Sequence, residues 1–278
     1  MIYIILPVHN RKDITELFIK SLVSQIYKEF KLILVDDGST DGTDEMVLNY
    51  LPDSIILKGD GNLWWAGGLH KGYEWIKENV NSSQVLLIND DTIISEEFLK
   101  TGIDLLNKND KTLFLAQAYD KNNNHVDSGV HVDWDKLTFN QAKNKDEINC
   151  LSTRGLFLQV KDFLEIGGFY PLILPHYLSD YEFTIRAYNN GYKLKIEENL
   201  KLIFDTETTG YHKIKYKNYF DYLKKFFSKK YPNNPIYFIS FLILACPKRY
   251  LFKNILRIAF RGLVKVVIPN YSRNNKSS

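Results

Sequence analysis

Two pairs of adjacent carboxylates carry the most chemical information in the sequence. Asp90 and Asp91, preceded by Asn89, close the apolar run of residues 85–88, and Asp36 and Asp37 close the run of residues 32–35. Unpaired charge at the end of a buried strand is costly, and neither pair has a basic residue beside it in sequence. A divalent cation is the simplest neutraliser: Mg²⁺ or Mn²⁺ accepts hard oxygen ligands from one or two carboxylates and completes its shell with phosphate oxygens. Asp91 and Asp90 are therefore candidate metal ligands, Asn89 adds a neutral oxygen or a donor, and a metal held there would stabilise a leaving diphosphate. A carboxylate at the other pair could accept a hydrogen bond from a nucleobase N–H. The plainer alternative is local, with Asp90, Asp91 and Thr92 capping a following turn and Ser39 or Asp41 capping the next helix. Capping accounts for Ser39 and Asp41 but not for two adjacent acids at a strand end.

The elements that must position these groups alternate. Residues 2–6, 32–35, 55–57, 85–88 and 113–115 are short Ile/Leu/Val runs that read as strands. Between them, helical spacing links Ile14, Leu17, Phe18 and Leu22, then Met46, Val47 and Tyr50, then Tyr73 and Ile76 within residues 69–79, then Phe98, Leu99, Ile103 and Leu106. This alternation predicts an α/β fold with a mostly parallel sheet buried on both faces. Pro7-Val8-His9-Asn10, Asp36-Asp37-Gly38-Ser39, Gly59-Asp60-Gly61-Asn62 and Asn89-Asp90-Asp91-Thr92 each follow a strand, so all four fall at its carboxyl end, where open parallel sheets bind ligands. His9, Asn10, Gly61 and Asn62 join the carboxylates there as candidate nucleotide-binding residues.

Missing motifs narrow the ligand. There is no G-x-x-x-x-G-K-[ST] phosphate loop, position 64 is Trp where a dinucleotide fingerprint needs Gly, and no G-x-S-x-G elbow occurs. Residues 59–68, Gly-Asp-Gly-Asn-Leu-Trp-Trp-Ala-Gly-Gly, are the least generic stretch. Trp64 and Trp65, read here as part of a loop, would be expensive to expose unless they line a pocket or meet the core. Aromatic faces stack well on sugars and bases.

Taken in order, residues 7–10, 35–41, 87–92, Ile166-Gly167-Gly168-Phe169, and Asp180-Tyr181-Glu182-Phe183 with Arg186, Ala187, Gly191 and Tyr192 resemble the motifs of glycosyltransferase family 2 over residues 2 to about 210. The resemblance implies a GT-A fold, Rossmann-like, that binds a nucleotide-diphospho-sugar and transfers the sugar with inversion. It implies that Pro7 backs the base, that Asp37 receives the N3–H of uracil or thymine, and that Asn89-Asp90-Asp91 stands at the family's D-x-D position with Asp91 as direct metal ligand. Asp180 matches the catalytic base, just before a helix carrying Glu182 and Arg186. Ser179 stands where the family often has Glu, which leaves Glu182 as a stand-in. His70 stands where an Asn is frequent. With Trp64, Trp65, Gly67, Glu182, Arg186 and His176, it completes the residues expected around the donor and acceptor sugars. Asp205, or His212, is the remaining metal-ligand candidate.

Charge divides the chain unevenly. Residues 1–210 hold 21 Lys and Arg against 32 Asp and Glu, whereas residues 211–278 hold 15 against Asp221 alone. We therefore expect a catalytic domain over 1–210, with a nucleotide-sugar half (1–115) and an acceptor half (116–210), followed by a basic helical region over 211–278. Arg249, Lys253, Arg257, Arg261 and Lys265 recur every fourth residue beside an apolar face, the pattern of a basic amphipathic helix. Residues 236–246 are apolar but fall well short of the ~20 residues a spanning helix needs. Segment 236–268 is expected to lie on a membrane surface, the alternative being that both segments pack onto the catalytic body with the basic stripe solvated. The acidic first 210 residues argue against nucleic acid.

Two cysteines, Cys150 and Cys246, give no disulfide framework, and the N-terminal apolar run stops at Pro7. The expected location is cytoplasmic, peripheral on the inner face of the membrane. The expected activity is transfer from a UDP- or dTDP-sugar to a lipid-linked or other saccharide acceptor in bacterial surface-polysaccharide synthesis. A sugar-1-phosphate nucleotidyltransferase would want a Gly-rich basic loop where Pro7-Val8-His9-Asn10 stands. A non-catalytic membrane-bound nucleotide-sugar binder is the third reading, excluded by any turnover.

Overall fold

The computed structural model describes residues 1–204 and 216–268 of the 278-residue chain. Strands β1 (Ile2–Val8), β2 (Phe30–Asp36), β3 (Ile55–Lys58) and β4 (Gln84–Leu87) alternate with helices α1 (Lys12–Val23), α2 (Thr43–Tyr50) and α3 (Trp64–Asn79). There follow β5 (Thr92–Ile94), α4 (Phe98–Asn107), β6 (Thr112–Tyr119), β7 (His125–Asp127), the pair β8 (Val130–Asp133) and β9 (Thr138–Gln141), β10 (Leu156–Gln159), α5 (Val160–Ile166), α6 (Ser179–Asn189) and β11 (Lys193–Phe204). Three helices finish the described chain: α7 (Tyr219–Phe226), α8 (Pro235–Ala245) and α9 (Lys248–Val267).

The main sheet runs β3-β2-β1-β4-β10-β6-β11-β5, with β7 added beside β6. The first four strands are mutually parallel and β10 enters antiparallel between β4 and β6. Because both faces are covered, β1 is apolar throughout: Ile2, Ile4, Leu6 and Val8 join one core with α1, α2 and α4, while Ile5 joins another with α3, α5 and α6.

Three local expectations change. Helix α3 begins at Trp64, so both tryptophans open a helix instead of occupying a loop. The acids at 90–91 are followed by strand β5 and cap no helix; Thr92 pairs across to Phe204. Leu17 and Tyr50, expected inward, are largely exposed, and Thr15 and Ile19 are buried in the first helix.

The C-terminal helices pack on the catalytic body. A third core joins Val130 and Val132 of β8, Ile185 of α6, Phe241, Leu242 and Ala245 of α8, and Ile258 of α9. Buried Asn254 donates to the Trp134 carbonyl at 2.8 Å, and Lys253 pairs with Asp135 at 2.6 Å. The single apolar face expected of α9 is thereby split in two. Ile258 and Gly262 turn inward, whereas Phe252, Leu256, Phe260, Leu263 and Val267 form a solvent-facing row, with Phe252 74% exposed. No described helix is long and apolar enough to cross a membrane.

Candidate active site

The four strand-end loops of β1 to β4 meet, as their placement requires, in a cleft of about 610 Å³. Pro7 and His9 come from the first loop, Asp37 from the second, Gly61, Trp64 and Trp65 from the third, and Asn89, Asp90 and Asp91 from the fourth. Arg154, before β10, His176 and Tyr177, before α6, and Lys230, between α7 and α8, close the remaining sides.

Asp37 organises the third loop. Its Oδ1 accepts from the Gly61 amide at 2.8 Å, and its Oδ2 accepts from the amides of Leu63 at 2.9 Å and Trp64 at 3.2 Å. The carboxylate thus serves the otherwise unpaired N–H groups at the start of α3. So close an approach needs glycine: a Cβ on Gly59 would stand 2.5 Å from Asp37 Oδ1. Asp36 is fully buried and structural, accepting from the Ser39 amide at 2.9 Å and from Lys58 Nζ at 2.8 Å.

His9 Nδ1 donates to the Asp37 carbonyl at 2.6 Å, and its Nε2 accepts from the Asn10 side chain at 3.2 Å, a tautomer set by the carbonyl, which can only accept. Asn10 in turn accepts from the Thr40 amide at 2.8 Å. It ties the first loop to the second and does not line the cleft; Asn62 does not line it either.

The acid pair at 90–91 has a basic partner that sequence neighbours did not reveal. Arg11 Nε donates to Asp90 Oδ2 at 2.8 Å and its NH2 group to Asp91 Oδ2 at 3.3 Å, while Thr15 Oγ1 donates to Asp90 Oδ2 at 3.1 Å. Burial nevertheless pushes Asp90 up to about 6, with Arg11 opposing and Asp91 reinforcing the rise. Asp91 is also raised by burial, against Arg11 and Arg154. The premise that a cation alone neutralises this pair is corrected: Arg11 carries much of that role. One oxygen is left over, because Asp91 Oδ1 is buried without a hydrogen-bond partner. Among the described residues no group of three or more His, Cys, Asp or Glu side chains could hold a metal by itself. A single spare carboxylate oxygen fits a hard cation whose other ligands come from a diphosphate. Asp205 and His212 lie outside the described residues.

Asp180 enters α6 through Leu178, whose φ of +67° is unusual for a branched residue. Asp180 is half-buried, and burial pushes its carboxyl up to about 6; the Tyr181 amide and Arg154 oppose the rise and Asp127 adds to it. The charge of Arg154 acts on both Asp91 and Asp180. Arg154 lines the cleft, contacts Asp127 at 3.5 Å, and stacks over Phe204 at 3.8 Å. Trp64 is likewise held at a φ of +59°, with His176 5.6 Å away centroid to centroid. Such left-handed non-glycine residues cost about 1–3 kcal/mol each and cluster at functional sites. Trp65 Nε1 donates to Thr153 Oγ1 at 3.1 Å, beside Arg154, and its ring packs on the α3 core, so it is both wall and core. His176 is pushed down to about 4 by burial and by Lys230, so it faces the cleft as a neutral imidazole.

Asp180 does not itself line the cleft, and four further expected site residues stand apart from it. Glu182 and Arg186 form a buried clasp, with Nε to Oε1 at 2.8 Å and NH2 to Oε2 at 3.0 Å, and Arg186 also donates to the carbonyls of Ile166 and Gly168. His70 packs over Tyr73 and against Gly168. Gly67 packs inside α3, where a Cβ would press on Leu63 at 3.2 Å. Conversely, Arg11, Arg154, Tyr177 and Lys230 were not read as site residues. Only Arg11 had a signal, a cation immediately after a strand-end loop facing two acids.

The comparisons agree with this architecture. The sequence model described as Glycosyl transferase family 2 matches residues 3–164. The Escherichia coli protein "UDP-Glc:alpha-D-GlcNAc-diphosphoundecaprenol beta-1,3-glucosyltransferase WfgD" is 25% identical over 152 residues, which are 55% of this chain and 58% of that protein. The chain thus spans under two thirds of that relative's length. S. aureus TarS 1-349 in complex with UDP-GlcNAc superposes with a TM-score of 0.63 at 18% identity, over 98% of this chain and 77% of that one. The mannosyltransferase PcManGT from Pyrobaculum calidifontis, in complex with GDP-Man and Mn²⁺, gives 0.57 at 12% identity, over 97% and 87%. The fold is GT-A, and the chain belongs to glycosyltransferase family 2.

Proposed function

We propose that the protein transfers a sugar from a pyrimidine nucleotide-diphosphate donor, UDP- or dTDP-linked, to a lipid-linked saccharide at a membrane surface, with inversion. The observation that carries this reading is the spare oxygen of Asp91 in a cleft that also holds Asp37 and is lined by Arg154, whose charge acts on Asp180. The base lies beside Pro7, with its N3–H on the free lone pair of Asp37 Oδ1. Asp91, assisted by Asp90, would hold Mg²⁺ or Mn²⁺, which would supply charge neutralisation to a leaving diphosphate.

Asp180 is the general base. A carboxyl with a pKa of about 6 is ionised at neutral pH yet holds a proton better than an ordinary aspartate, which suits proton abstraction. It takes the proton of the acceptor hydroxyl; the new C–O bond forms at the anomeric carbon as the bond to the diphosphate oxygen breaks, and the electron pair leaves with the nucleoside diphosphate. Arg154 lines the cleft, and its charge favours the ionised form of both Asp91 and Asp180. Trp64 and neutral His176 supply an apolar wall for a sugar.

The relative from E. coli is named for a diphosphoundecaprenol-linked acceptor, which supports a lipid-linked substrate here. The exposed row Phe252, Leu256, Phe260, Leu263 and Val267, flanked by Arg249 and Arg261, supplies the apolar and cationic elements of membrane-surface binding. The test is a thermal-shift series with UDP, dTDP, GDP and ADP, each with and without Mn²⁺. Metal-dependent stabilisation by UDP or dTDP is expected. Stabilisation by purines alone, or by none of the four, overturns the assignments of Asp37 and Asp91.

A further inference from the structure

The turn between α7 and α8 brings two lysines to the mouth of the cleft. Lys229 and Lys230 place their ammonium groups 5.8 and 5.9 Å from the ring centre of Trp64, and Lys230 lines the cleft itself. Neither has a carboxylate partner among the described residues. Two adjacent unpaired cations over an aromatic face repel one another, so a surface that keeps them there suits an anion of more than one charge.

The turn is built to hold them. Tyr231 donates its amide to the Ser228 carbonyl at 3.2 Å and packs on Phe226, and buried Asn234 donates from its side chain to the same carbonyl at 3.2 Å. Helix α7 is in turn latched to the end of α9, where the Tyr222 and Tyr219 hydroxyls each donate, at 3.0 Å, to the carbonyls of Lys265 and Val266. That end of α9 carries Leu263, Val267 and Ile268, all more than half exposed. The lysine pair therefore stands between an apolar outer surface and the cleft.

We infer that Lys229 and Lys230, with Trp64 beneath them, bind the diphosphate of a prenyl-diphosphate-linked acceptor while its chain runs along the exposed end of α9. A nucleotide sugar has no chain to match that surface, whereas a lipid diphosphate presents both the anion and the apolar chain at once. Ammonium groups bind phosphate oxygens as point charges, and the held turn reduces the ordering cost. The inference rests on the lipid-linked acceptor proposed above, and it makes Lys229 and Lys230, at the mouth of the cleft, determinants of acceptor specificity.

The test measures binding of two probes, farnesyl diphosphate and UDP, by calorimetric titration of the full chain. Wild type is compared with the double variants Lys229→Gln/Lys230→Gln and Lys229→Arg/Lys230→Arg, each checked for an unchanged unfolding midpoint. The Gln variant is expected to weaken farnesyl diphosphate at least tenfold, since a lost charged contact of about 1.4 kcal/mol is a tenfold change. The Arg variant retains most of the affinity, and in the Gln variant UDP loses several-fold less affinity than farnesyl diphosphate. Equal loss of UDP assigns the lysines to the donor and overturns the inference; so does unchanged farnesyl diphosphate binding, or none in the wild type. If UDP fails to bind any variant, the donor reading falls, while the farnesyl diphosphate comparison still decides the role of the lysines.

Discussion

Replacing Asp180 with Asn should make the protein more stable at neutral pH while abolishing transfer. Burial raises this carboxyl from 3.8 to about 6. For an acid whose native pKa lies above its unfolded one, the native state binds more protons between the two values, so stability falls as pH climbs from 3.8 through about 6 and is level above. At 1.36 kcal/mol for each pKa unit, keeping Asp180 ionised costs about 3 kcal/mol at pH 7.5. The neutral isostere Asn removes that cost, and for a chain of this size the unfolding midpoint rises by roughly 5–8 °C. At pH 4, where Asp180 is largely protonated in the native state, wild type and variant should nearly coincide. The measurement is thermal unfolding of both proteins from pH 4 to 8, paired with the pH profile of transfer, whose acid limb should fall near 6. Asp90 titrates in the same range but is common to both proteins and cancels in the difference. A variant less stable than wild type at pH 7.5, or a difference independent of pH, would refute the claim that Asp180 is held ionised against its surroundings.

Other consequences follow from particular contacts. Arg11→Gln leaves the buried acids at 90–91 without their cation and should cost about 3 kcal/mol at pH 7.5, less at pH 5 as Asp90 takes up a proton, when followed by denaturant unfolding. Gly59→Ala drives a Cβ into Asp37 and should weaken UDP binding by tenfold or more in calorimetry. Arg186→Lys loses the bidentate pairing with Glu182 and should lower stability by about 2 kcal/mol while leaving the KM for donor unchanged, separating the clasp from the cleft. Phe252→Ser with Phe260→Ser should reduce cosedimentation with anionic lipid vesicles by about tenfold or more, with unfolding unchanged because both side chains face solvent.

Where sequence and structure agree, local chemistry was enough. Alternating apolar runs and helical spacings placed β1 to β4, β6 and the helices between them, because a sheet covered on both faces demands nearly continuous apolar strands. The same alternation put the loops carrying Pro7, His9, Asp37, Gly61, Asn89, Asp90 and Asp91 at one sheet edge, since parallel strands all end on the same side. The order of motifs then carried the family.

Tertiary structure decided what those groups meet. Arg11 lies 79 residues from Asp90 in sequence, and no neighbour-based reading of charge finds a counter-ion across two strands. Arg154 and Lys230 reach the cleft from an antiparallel strand entry and a C-terminal turn, where periodicity says nothing about proximity. Glu182 and Arg186, four residues apart on α6, read equally well as a site pair or a clasp; the carbonyls of Ile166 and Gly168 settle it, and those come from another element. The helical repeat of α9 shows which residues share a face, but not that one apolar face packs on β8 and β9 while the other meets solvent. Sequence fixes the periodicity of an amphipathic element, and only the three-dimensional packing fixes how many of its faces are buried.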